Sequence, residues 1–178
     1  IEADHYTMQK QNSDLVLEPT RTRRLGLAMV VMFLGGSGLV YEYCISTLAT
    51  HLLGNSVQQF SIIIALMLFA MGVAGIAQRA IRSDRDLAFL FVLIEILLAV
   101  IGGSSAVLLY LSFAWLDHFH LVLYFLAFII GFGIGLEIPL LLRINERWRK
   151  ELTDNVGDVL SLDYVGALFG ALIWAFLL

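Results

Sequence analysis

One cysteine in 178 residues leaves the chain unable to form an intrachain disulfide, a CxxC redox pair or a cysteine-rich metal site. Charge is also scarce: Asp, Glu, Lys and Arg make up 15 % of the residues, too few to coat a water-soluble domain of this size. The formal net charge is −4, and no stretch gathers basic residues without an apolar span beside it. A nucleic-acid partner is therefore not expected. Ser/His/Asp, Cys/His and His-Glu-x-x-His arrangements, which carry nucleophilic or zinc chemistry, are missing as well.

What is present is apolar surface, since 60 % of the residues are hydrophobic. Residues 1–24 are polar, mixed in charge and contain Pro19, and they read as a cytoplasmic tail, disordered or a surface helix. Residues 25–178 read as an all-α, multi-pass transmembrane bundle with spans near 25–53, 57–78, 87–116, 119–142 and 159–178. Crossing a hydrocarbon core takes ~20 apolar residues in helical form. Backbone N–H and C=O groups cannot stay unpaired there, so runs of this length have to be helices. The first run is about twice a signal-peptide core of ~7–15 residues and lacks a small-residue cleavage site, so it is read as a retained span. The fifth is read as cut short at Leu178.

The basic residues set the expected orientation. Lys10, Arg21, Arg23 and Arg24 lie in the tail, Arg79, Arg82 and Arg85 between the second and third spans, and Arg143, Arg147, Arg149 and Lys150 between the fourth and fifth. With five crossings, all 11 fall on one side, which the positive-inside rule makes the cytoplasm. A missed or invented span would split the set. The expected location is a bacterial cytoplasmic (inner) membrane, with the N-terminus inside.

Four acids lie inside or at the edge of the apolar runs: Glu42, Glu95, Glu137 and Asp163. An ionisable side chain at the bilayer centre costs roughly 2.5–3.5 kcal/mol on insertion scales, so such residues normally face protein or water. Helical spacing puts Glu42 on one face with Gly35 and Gly38, Glu95 with Ala99 and Gly102, and Asp163 with Gly166 and Gly170. Gly131 and Gly135, like Gly166 and Gly170, form a GxxxG pair that suits close helix contact. Counting from the basic loops groups Glu95, Glu137 and Asp163 in the cytoplasmic half, with Glu42 deeper or nearer the outside. The carboxyls read either as structural, holding helices in register, or as lining a substrate or cation site, with a proton relay as a third use.

The remaining features are weaker. The Gly131–Gly135 stretch is glycine-rich but has no preceding strand, so helix packing explains it better than a phosphate cradle does. Pro139 is expected to kink or end the fourth span. His51, His118 and His120 lie in two separate turns without a third ligand at zinc-like spacing, and no metal site is expected. Trp115, Trp148 and Trp174 read as interfacial anchors or packing residues.

Three blocks resemble a known family. They are Leu39-Val40-Tyr41-Glu42 with Ser46 to Val57, Gln59-Phe60-Ser61 and Leu68 to Gly72; then Gly135 to Arg143; then Val159 to Leu168. Together they are similar to the membrane portion of integral membrane spermidine synthase-like proteins, the polyamine aminopropyltransferases. The resemblance implies a helical membrane domain that precedes a soluble Rossmann-like half. It also implies transfer of an aminopropyl group from decarboxylated S-adenosylmethionine, as co-substrate, to an amine. No cofactor and no catalytic residue are expected in this segment itself. A cytoplasmic catalytic half would need at least one more span after the fifth. The implied role is an anchor for that half in the bilayer, presenting an amine or lipid-borne acceptor. Two alternatives stay open: a polyamine or cation transporter or sensor, and a structural subunit, homo-oligomeric or within a membrane complex.

Overall fold

The computed structural model describes residues 21–81, 87–146 and 152–177, and among them every regular element is helical. The helices are α1 (Arg21–Leu53), α2 (Ser56–Ala77, followed by a 3-10 turn Gln78–Ala80), α3 (Leu87–Trp115), α4 (Phe119–Glu146) and α5 (Leu152–Leu177). All five are long and apolar enough to cross a bilayer by length and composition. The shortest, 22 residues, spans ~33 Å at the α-helical rise, against a hydrocarbon core of ~30 Å. The tail reading for residues 1–20 lies outside the described residues. So do Arg82, Arg85, Arg147, Trp148, Arg149 and Lys150.

The helices outrun the apolar stretches at the basic end. Helix α1 starts at Arg21, α4 passes through Pro139 to Glu146, and α5 starts at Leu152. A helical backbone does not need apolar side chains, so the onset of polarity along the sequence does not mark the helix end. Pro139 does not end α4. Its missing N–H removes one bond, and the helix continues for seven further residues.

Two short turns close the other end. Gly54 (φ 76°) and Asn55 (φ 48°) are left-handed, and the Gly54 N–H donates to the Thr50 carbonyl at 2.8 Å. The Asn55 side chain then accepts from the Gln58 N–H at 3.3 Å and caps α2. Between α3 and α4 the Leu116 N–H donates to the Ser112 carbonyl at 2.9 Å.

Sequential helices run antiparallel, which leaves α1 parallel to α5 and α2 parallel to α4. In the α1–α5 pair, Met32 meets Gly166 and Gly36 meets Gly170; in the α2–α4 pair, Met67 meets Gly131 and Met71 meets Gly135. A β-carbon on Gly131 would stand 2.8 Å from the Met67 α-carbon, and one on Gly135 2.5 Å from that of Met71. Only glycine permits this backbone approach. Helix α4 is the central element. It supplies Phe119, Leu123, Leu126, Ala127 and Ile130 to the main core, which is completed from α1, α2 and α3. Helix α5 packs almost entirely on α1.

The outer faces are apolar, with Phe33, Phe69, Phe89, Trp115, Phe125 and Phe176 all at least half exposed. A water-soluble monomer rarely shows contiguous apolar surface on this scale, and the surface is compatible with lipid contact. Four hydroxyls on these helices are satisfied within their own helix: Thr50, Ser61, Ser104 and Ser112 each donate to the carbonyl four residues back at 2.6–2.9 Å.

Candidate functional site

Helices α3, α4 and α5 each bring one carboxyl to the same level. Glu95 lies eight residues from the start of α3, Glu137 nine from the end of α4, and Asp163 eleven from the start of α5. At ~1.5 Å per residue these are depths of ~12–17 Å from the basic end. The Glu95 and Glu137 carboxyls lie within hydrogen-bonding reach of each other, and Asp163 is close enough to Glu137 to act on it electrostatically. The result is a row across the bundle with Glu137 in the middle. Glu137 is 5 % exposed, whereas Glu95 and Asp163 are half-buried and leave the two ends of the row open.

The row is not self-satisfied. Glu95 Oε1 is buried and accepts no hydrogen bond. Two ionised carboxylates offer only acceptors, so they bond one another only when a proton or a cation stands between them.

Glu42 lies apart. It is half-buried, and none of the other three carboxyls acts on it. Its neighbour Tyr41 points elsewhere on the helix, and the Tyr41 phenol lies within electrostatic reach of both Glu95 and Glu137. The Tyr41 ring packs where a Gly102 β-carbon would stand, 2.6 Å from its Cε1. The helical-face count found Gly102 but not the ring that fills the space. The sequence signal for it is a phenol inside an apolar run, Tyr41 beside Glu42.

The glycines singled out from the sequence divide in the same way. Gly35 makes room for Asp163, whose Oδ1 would lie 2.7 Å from a β-carbon there. Gly38 meets only the Ile134 side chain, at an ordinary 3.5 Å, so its contact does not demand glycine. Gly131, Gly135, Gly166 and Gly170 sit in the two backbone approaches already described.

Other polar groups stay outside the row. Ser46 Oγ and Gln59 Oε1 are buried without a hydrogen bond. The Cys44 thiol lies within hydrogen-bonding reach of Ser105. His51, His118 and His120 are exposed at the turn end, and among the described residues no three His, Cys, Asp or Glu side chains converge closely enough to hold a metal ion. At the basic end Arg143 Nη1 donates to the Ile81 carbonyl at 2.9 Å, tying α4 to the connection after α2.

No family model matches the chain, and no solved structure matches it. Curated proteins do. A protein named polyamine aminopropyltransferase 1 from Streptomyces coelicolor is 40 % identical over 154 residues, 86 % of this chain and 29 % of the relative. The polyamine aminopropyltransferase of Leptospira interrogans is 41 % identical over 148 residues, 83 % of this chain and 29 % of the relative. Polyamine aminopropyltransferase 2 of Aquifex aeolicus is 40 % identical over 151 residues, 85 % of this chain and 30 % of the relative. The chain thus spans about three-tenths of the length of these relatives. Over that share, this all-helical segment is similar to proteins named polyamine aminopropyltransferase.

Proposed function

We propose that the chain is the membrane-embedded part of a polyamine aminopropyltransferase, holding the transferase at the cytoplasmic face of a bacterial inner membrane. The observation that carries this reading is identity of about 40 % over more than four-fifths of the chain to proteins so named. The five helices supply the anchor. Their orientation follows from Arg21, Arg23, Arg24, Arg79 and Arg143, which lie toward one end of the bundle; the positive-inside rule turns that end toward the cytoplasm.

In this reading decarboxylated S-adenosylmethionine is the co-substrate of the intact protein, and the bundle serves the transfer by position, presenting an amine or lipid-borne acceptor from the membrane side.

The test is an aminopropyl-transfer assay of the full-length protein in lipid with decarboxylated S-adenosylmethionine and a panel of amines. Transfer that tracks with the membrane fraction is expected. Absence of transfer with every amine would overturn the reading.

A further inference from the structure

We draw no further inference here: the strongest candidate, the exposed apolar face of α5 that runs from Tyr164 through Leu168 and Leu172 to Phe176, carries nothing because no contact in the structure shows what covers it.

Discussion

Gly170 of α5 rests on the backbone of Gly36 in α1, and a β-carbon added to Gly170 would stand 2.9 Å from the Gly36 α-carbon. One turn earlier, Gly166 meets the backbone of Met32 in the same way. Two glycines one helical turn apart thus set the closeness of the α1–α5 contact, and little else holds α5 to the bundle. Because the obstructing atoms are backbone, the clash cannot be relieved by a rotamer change.

Replacing Gly166 or Gly170 with valine should therefore push α5 off α1. The expected cost is about 1–3 kcal/mol, as for other overpacked contacts. Thermal unfolding in detergent, compared with the parent, checks it. A crosslink between cysteines placed at Met32 and Ala167, in a Cys44→Ser background, should be lost in the valine variants.

Glycines without neighbours should behave differently. At Gly72 and Gly103 an added β-carbon would meet nothing within 4 Å, and both residues lie on exposed helix faces. Alanine at either position should leave stability unchanged or raise it by up to ~1 kcal/mol through helix propensity. In the same unfolding assay, Gly135→Ala should lose stability, because its β-carbon would meet Met71 and Ala74 of α2.

Orientation is open to direct chemical test. In a Cys44→Ser background, a cysteine at Arg79 should react with a membrane-impermeant maleimide only after the cytoplasmic face is exposed. A cysteine at His118 should react from outside in intact cells. Both positions are solvent-facing, and they lie at opposite ends of the bundle. Labelling of both from one side would remove the bundle's proposed place in the membrane.

Arg143 offers a local readout at the basic end. Its Nη1 bond to the Ile81 carbonyl spans 62 residues of sequence and fastens the connection between α2 and α3 to α4. Arg143→Met keeps much of the side-chain volume and removes the donor. Hydrogen exchange should quicken around Gln78–Ile81, at a net cost of about 0.5–1.5 kcal/mol.

Much of this architecture is legible in the sequence because long apolar runs leave few alternatives to helix. Uninterrupted apolar runs show where the helices are, and the two turns at Gly54-Asn55 and Asp117-His118 show which neighbours pair. The helix ends at the basic side were not legible. At Arg21, Glu146 and Leu152 the side chains turn polar while the backbone remains helical. Depth counting brought Glu95, Glu137 and Asp163 to one level and set Glu42 apart, since it needs only a rise per residue and a common starting plane. It could not show which side chain from α1 completes the group. Tyr41 and Glu42 are consecutive, point about 100° apart on the helix, and only packing against Gly102 decides that the phenol faces inward.

The α1–α5 pair also bears on how the bundle is assembled. About a hundred residues separate the end of α1 from the start of α5, which at ~5–20 residues per second is roughly 5–20 s of synthesis. Throughout that interval the groove at Met32, Gly35 and Gly36 has no helix to fill it, while α2, α3 and α4 are laid down beside it. Helix α1 must wait for α5, so a ribosome pause or a mutation between them would prolong the exposure of that groove to other nascent chains.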